Sequence, residues 1–151
     1  MRASLFQRRG AALRGRPCRG IAGIVDRTRD HLVATGRAGD PFQAARLAEL
    51  FGLADGAAAI VRRAAHFWFE DTAPEEARLA QVAAARLGVA DAAERAMATA
   101  REAVGLAGQF TAHPLSALLS DLTVYLRQPV PDAQRLRVGR AVEQGLLVPS
   151  L

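Results

Sequence analysis

The chain has 151 residues, half of them apolar, which is enough for one domain around a sizeable core. Its longest apolar runs fall far short of the roughly 18 residues that span a bilayer. A single cysteine, Cys18, excludes an internal disulfide and a multi-cysteine metal site. We therefore expect a soluble protein of a reducing compartment, most simply the cytoplasm.

The positive charge is concentrated at the start of the chain. All 20 basic residues are arginine, and residues 1–19 hold six of them and no acid. The other 14 arginines face 15 acidic residues, so the rest of the chain has a net charge of −1 and does not resemble a nucleic-acid surface. We interpret residues 1–19 as a poorly ordered arginine-rich leader. A transit peptide, phosphate or anionic-membrane binding, and simple codon bias stay open as explanations for it.

Apolar residues at helical spacing predict two helices in the first half of the chain. The first covers residues 20–35 and ends at Gly36. Asp40 can cap the next helix, and Pro41 fits its first turn, where a missing N–H costs nothing. The second helix is long, because its apolar stripe continues from Leu47 to Trp68.

A third long helix is predicted from Thr72 to about Ala107. Thr72 and Glu75 have the spacing of a capping box, and the stripe that follows includes Leu79, Val82, Leu87, Ala93, Met97 and Val104. Its many alanines favour close packing of neighbouring helices. Asp91 and Arg95, four residues apart, are expected to form a surface pair.

Two shorter helices complete the prediction. Pro114 opens a leucine-rich helix that Pro129 should stop, and a last helix covers residues 132–144. No alternating pattern typical of strands competes with these helices. The sequence therefore predicts an all-α domain over residues 20–147, an antiparallel four-helix bundle with a short C-terminal extra helix.

The usual catalytic and metal-binding patterns are absent from the sequence. His31, His66 and His113 each stand alone: His31 is expected at the surface, His66 packed beside aromatic residues, and His113 shaping a turn. There is no serine elbow or phosphate-binding lysine loop. The pair Arg62 and Arg63 is interpreted as solvated charge rather than an anion clamp. We expect no catalytic residue and no metal ligand.

The segment "VGLAGQFTAHPLSALLSDLTVYLRQ", two long helices before it and a short helix after it resemble the C-terminal helical domain of the acyl-CoA dehydrogenase family. The resemblance covers about residues 20–144. Full-length members of that family also contain an N-terminal helical domain and a β domain, and they hold FAD between the last two domains and a neighbouring subunit. Nothing in this chain corresponds to the first two domains.

The resemblance assigns places to several residues. Gly108 falls in the family's glycine-rich turn, and His113 takes the aromatic place before a proline. The place of the reactive glutamate falls on Pro129, which cannot abstract a proton. Some members carry that glutamate ahead of the first helix of this domain, and the corresponding place near Arg9 has no acid either. The resemblance therefore implies a domain without its catalytic base.

Cofactor contacts are implied by the same resemblance. The family places an arginine, then Phe-Gly, then Gln-Ala against a neighbouring subunit's FAD; here Arg37 and Gln43 fit the outer positions, while "AGDP" replaces Phe-Gly. Arg37, Gln43 and Gly108 are thus the candidate cofactor residues. FAD is expected only with a partner chain or dimer mate.

Two functions follow as expectations. The first is an acyl-CoA-dehydrogenase-like flavoprotein domain, a fragment or a stand-alone relic, without dehydrogenase activity on its own. The alternative is a non-catalytic helical module for oligomerisation or interaction. Both imply a homo-oligomer or a flavin-domain partner chain, and neither fixes a substrate.

Overall fold

The computed structural model describes residues 17–70, 72–127 and 130–149, and this part of the chain is helical without a strand. The α-helices are α1 (Pro17–Ala34), α2 (Pro41–Glu70), α3 (Glu75–Val104), α4 (Pro114–Leu126) and α5 (Pro131–Glu143), with a 3₁₀ helix at Gly105–Gln109. The predicted all-helical class is confirmed. None of these helices is both long enough and apolar enough to cross a membrane.

Helix α3 lies at the centre of the fold. It packs against α1, α2, α4 and α5, and α1 and α2 also pack against each other. Helix α4 lies mainly on α1, and α5 lies on α3. The chain therefore folds around α3, which every other α-helix touches.

Helices α2 and α3 run antiparallel, as their cross-contacts show. Near the start of α2, Arg46 Nε lies 3.8 Å from Glu102 Oε2, close to the end of α3. Near the end of α2, the Trp68 ring lies 5.5 Å from the guanidinium carbon of Arg78, close to the start of α3. Residues early in α2 therefore contact residues late in α3, and residues late in α2 contact residues early in α3. The two helices form an antiparallel hairpin.

Helices α1 and α4 are also antiparallel, and glycines let them approach closely. A Cβ built on Gly20 would lie 2.6 Å from Leu122 Cδ2, and one built on Gly23 would lie 3.2 Å from Leu118 Cδ2. Leucine side chains on α4 thus fill the space above two glycines on α1. A larger residue at Gly20 would force the buried Leu122 side chain or the helices themselves to shift.

The core combines large side chains of the outer helices with small ones of α3. Ile21, Ile24, Leu50 and Leu115 have no exposed surface. The rest of the cluster is Ala57, Val89, Ala93, Ala96, Met97, Ala100, Val104, Leu119 and Leu122. Because the central helix contributes mainly alanine, its neighbours pack close to its backbone.

The start of α3 differs from the prediction. Glu75 is the first helical residue, and Pro74 is the N-cap with an extended backbone (φ −53°, ψ 148°) and no side-chain cap hydrogen bond. The capping box assigned to Thr72 is therefore wrong. Because Pro74 already occupies the cap position, Thr72 lies too far upstream to cap the helix.

Two further details of α3 are corrected. Arg95 pairs with Glu49 of α2 at 3.4 Å rather than with Asp91, because α2 lies within reach of its long side chain. In the first half of α3, Leu79 and Leu87 are only half-buried, while alanines occupy the tightest contacts. The predicted stripe is correct in the second half, where Ala93, Met97, Ala100 and Val104 are buried.

The remaining boundaries agree within a few residues. Helix α1 begins at Pro17 rather than Gly20, and α5 spans Pro131–Glu143 against a predicted 132–144. The predicted third helix ends at Val104 and gives way to the 3₁₀ helix. Pro129 and leader residues 1–16 lie outside the described residues.

Candidate functional site

The turn after α1 positions Arg37. Gly36 adopts a left-handed backbone (φ 69°), Arg37 N–H donates to Leu32 C=O at 2.8 Å, and Gly36 N–H donates to Val33 C=O at 3.1 Å. These two bonds form a Schellman turn, in which glycine tolerates the positive φ. Arg37 is exposed, and its guanidinium makes no hydrogen bond or ion pair within the described residues.

Gln43 lies in the first turn of α2, which Asp40 caps as predicted. Asp40 Oδ1 accepts from Phe42 N–H at 2.9 Å and from Gln43 N–H at 3.0 Å. The Gln43 side chain turns inward, so that only 6% of the residue is exposed. Its Oε1 is buried without a hydrogen-bond partner, as is Thr28 Oγ1 on α1. Gln43 is therefore an interior residue of this chain.

Gly108 lies in the 3₁₀ helix and is buried. A Cβ there would lie 3.1 Å from Val104 Cγ1 and 3.6 Å from Leu115 Cδ2. Its small size allows the connection between α3 and α4 to pack closely. Gly108 therefore has a packing role in this chain.

His113 caps α4 and contacts His31 of α1. Its Nδ1 accepts from Leu115 N–H at 3.2 Å, and its Nε2 lies 3.2 Å from His31 Nδ1. Since Nδ1 of His113 accepts a bond, the neutral ring carries its proton on Nε2, which donates to His31 Nδ1. The ring centroids are 5.0 Å apart in an edge-on arrangement.

This pairing has an electrostatic consequence. Burial lowers the pKa of His31, and electrostatic interaction with His113 and Arg37 lowers it further. Both neighbours favour the neutral imidazole, which the hydrogen bond also needs. His31 is therefore close to both His113 and Arg37, and Gly108 lies near Leu115, which donates the capping hydrogen bond to His113.

The histidine predictions are corrected in part. His113 shapes the turn before α4, as predicted, but His31 and His113 do not stand alone, because the fold brings them together across 82 residues of sequence. His66 was expected to be packed, yet it is exposed on α2. Within residues 17–70, 72–127 and 130–149, no three His, Cys, Asp or Glu side chains form a group that could hold a metal.

Two of the three candidate cofactor residues are buried within this chain. Gln43 is buried, and Gly108 is covered by Val104 and Leu115. Only Arg37 presents its side chain to the outside. A contact with FAD in a partner chain or dimer mate stays a prediction.

Other residues singled out by the sequence have ordinary surface positions. Asp121 is exposed on α4, and Tyr125 is half-buried one turn later. Arg62 and Arg63 are exposed on α2. None of these residues meets the end of the molecule that carries His31 and His113 through a described contact.

Large apolar side chains remain exposed on several elements. Each has more than half of its surface exposed, with fractions from 55% to 79%. They are Val33, Phe42, Phe51, Phe69, Leu106, Phe110, Val124, Val130, Leu136, Val142 and Val148. Phe51 lies within the apolar stripe predicted for α2 between Leu47 and Trp68, so periodicity alone did not indicate that it is exposed.

No protein-family model, curated protein or solved structure matches this chain. The resemblance to the acyl-CoA dehydrogenase C-terminal domain therefore rests on the order of its helices and on its turn motifs. It enters the account below as a proposal.

Proposed function

We propose that this chain is a helical association domain that resembles the C-terminal domain of acyl-CoA dehydrogenases and has no dehydrogenase activity of its own. In this proposal α1 to α4 form an antiparallel four-helix bundle, and α5 is the short extra helix. The antiparallel pairs α1 with α4 and α2 with α3 support that arrangement. The turn with His113 before Pro114 supports the family resemblance.

One observation carries the association role, namely the exposed apolar surface. Four phenylalanines on the outside, Phe42, Phe51, Phe69 and Phe110, are 60% to 75% exposed. Contact with another protein would remove these apolar side chains from water, which is favourable. A domain cut from an oligomeric enzyme would carry such a surface, and self-association would bury it.

In this proposal the chain cannot carry out the dehydrogenase reaction alone, because it has no catalytic base at the places that the resemblance implies. Removing a proton beside a thioester needs a base, and members of the resembled family carry a glutamate for it at one of two positions. Pro129 occupies one position, and the other falls near Arg9, where there is no acid. Any flavin chemistry would therefore need groups from another chain.

A flavin-binding role with a partner chain is the second candidate. The observation that favours it is Arg37, which is exposed and held by the Schellman turn at the family's arginine position. A free guanidinium in that place can bind an anionic group such as a cofactor phosphate. Gln43 does not contribute as it stands, because it is buried.

One gel-filtration experiment tests these functions together. The purified full chain is mixed with FAD and separated while light scattering gives its mass and absorbance gives its flavin content. We expect a mass above the 16.1 kDa of one chain and no retained flavin. A 16.1 kDa monomer would contradict the association role, and flavin that comigrates with the chain would favour the second candidate.

A further inference from the structure

The outer face of α2 carries a regular seam. Its members follow alternating spacings of four and three residues, and all of them are exposed. They are Ala48, Gly52, Asp55, Ala59, Arg62, His66 and Phe69. Residues at this spacing share one face of a helix, so the seam is a continuous strip along the outside of α2.

The seam lies on the side of α2 opposite the core. Leu50, Ala57 and Ala64 are buried at intervals of seven residues, and the seam positions fall roughly half a turn away from them. At 1.5 Å per residue the seam is about 32 Å long. A Cβ built on Gly52 would meet nothing within 4 Å, so the space above it is open.

Size and charge are distributed unevenly along the seam. The first half has small residues, Ala48 and Gly52, whereas the second half ends in Phe69, which is 62% exposed. Asp55 and Arg62 carry opposite charges two helical turns apart, and neither makes an ion pair within the described part of the chain. Ala59 lies between them, close to the midpoint.

We propose that two copies of this chain associate through the α2 seam in antiparallel, two-fold symmetric contact. This inference rests on the proposed association function and specifies one surface for it, which includes Phe69 among the four exposed phenylalanines. Turning one copy about the midpoint near Ala59 places Asp55 opposite Arg62 of the other copy, twice by symmetry. The same rotation places Phe69 opposite the open space at Ala48 and Gly52.

A parallel pairing of the same seam is unfavourable. It would place Asp55 against Asp55 and Arg62 against Arg62, and like charges across an interface repel. It would also oppose two large Phe69 side chains at one end and leave small residues facing each other at the other end. The charge pattern therefore favours the antiparallel orientation. Because the pattern is complementary to itself under a two-fold rotation, it fits a second copy of this chain as the occupant of the seam.

Charge reversal tests the pairing. Asp55→Arg and Arg62→Asp should each raise the dimer dissociation constant about tenfold or more, because each creates two like-charge contacts. The double variant D55R/R62D should restore it to within about threefold of the wild-type value, since the opposite charges again face each other. Asp91→Arg, on the exposed side of α3, is the matched control and should leave the constant unchanged.

The outcomes separate this inference from the association function. The seam would be contradicted if neither single charge reversal changes the dimer dissociation constant, or if the double variant dimerises as weakly as the single variants. Either result would leave the association role intact. A wild-type chain that stays monomeric would contradict both. Circular dichroism of each variant checks that the helices still form.

Cysteine cross-linking tests the orientation independently. Ala59→Cys should form a disulfide-linked dimer under mild oxidation, because this position lies near the symmetry axis, where Cα atoms come within bridging distance. Ala48→Cys should not link to itself, since its partner position is 69. Efficient linkage through Ala48→Cys without linkage through Ala59→Cys would contradict the antiparallel arrangement. The wild-type chain reports any bridge made by Cys18.

Discussion

His113 Nε2 lies 3.2 Å from His31 Nδ1, and this contact joins the last turn of α1 to the residue that caps α4. This hydrogen bond needs an unprotonated Nδ1 on His31, because only an unprotonated ring nitrogen can accept a hydrogen bond from the Nε2–H group of His113. The contact between the two helices at this end therefore depends on the neutral state of His31.

This relationship predicts that stability falls in mild acid. Burial, His113 and Arg37 lower the pKa of His31 below its ordinary value of about 6.5 in the folded protein. In the pH window just below that value the unfolded chain binds more protons than the folded chain, so the free energy of unfolding decreases as pH falls. Urea unfolding between about pH 7.5 and about pH 5.5 measures the change.

The control for this prediction is His31→Gln. Glutamine does not titrate, and its side-chain oxygen can still accept from His113. The variant should lose less stability than the wild type over the same pH range. An equal loss in both proteins would show that His31 does not cause the pH dependence.

Removing the cap of α2 should destabilise the protein. Asp40→Ala deletes the acceptor for Phe42 N–H and Gln43 N–H and should cost about 1 kcal/mol of unfolding free energy. Asp40→Asn keeps an acceptor oxygen and should cost little. Chemical unfolding of both variants measures the difference, and equal stabilities would contradict the capping role.

The contact between α1 and α4 depends on Gly20. Gly20→Ala places a methyl group 2.6 Å from Leu122 Cδ2, and Leu122 is itself buried, so the variant should lose about 1 to 3 kcal/mol. Gly139→Ala is the control, because a Cβ there meets nothing and should stabilise α5 by up to about 1 kcal/mol. A stabilised Gly20→Ala variant would show that α1 and α4 do not approach so closely.

The alanines of α3 should tolerate substitution only on its outer side. Ala96 has no exposed surface, so Ala96→Leu overfills the core and should cost about 1 to 3 kcal/mol. Ala98 is exposed, and Ala98→Leu should change the stability by less than about 0.5 kcal/mol. Thermal unfolding compares the two variants, and similar melting temperatures would contradict the central position of α3.

Local chemistry made much of this fold predictable. Asp40 before Pro41 and His113 before Pro114 determine where α2 and α4 begin, because caps act over only a few residues. The same short range explains the wrong prediction at Thr72. Its spacing to Glu75 fits a capping box, but Pro74 occupies the cap position. Two capping signals within one turn exclude each other, and the sequence alone does not show which of them the folded chain uses.

Contacts between distant segments could not be predicted from spacing. His31 and His113 are in contact although they are 82 residues apart in sequence. Arg95 forms its ion pair with Glu49 of α2 and not with Asp91 of its own helix. Gln43 fits a family motif by position, but only the packing of the whole fold determines that it is buried. Periodicity identifies an apolar stripe when large apolar residues stand out from polar ones. In the alanine-rich α3, only the packing of the neighbouring helices determines which residues are buried.

Sedimentation velocity of the full chain tests the central claim, self-association, most directly. Runs from about 1 μM to about 200 μM cover the affinities expected of a modest interface. We predict that the sedimentation coefficient rises with concentration and that the mass approaches twice 16.1 kDa. A mass of 16.1 kDa at every concentration would contradict the account.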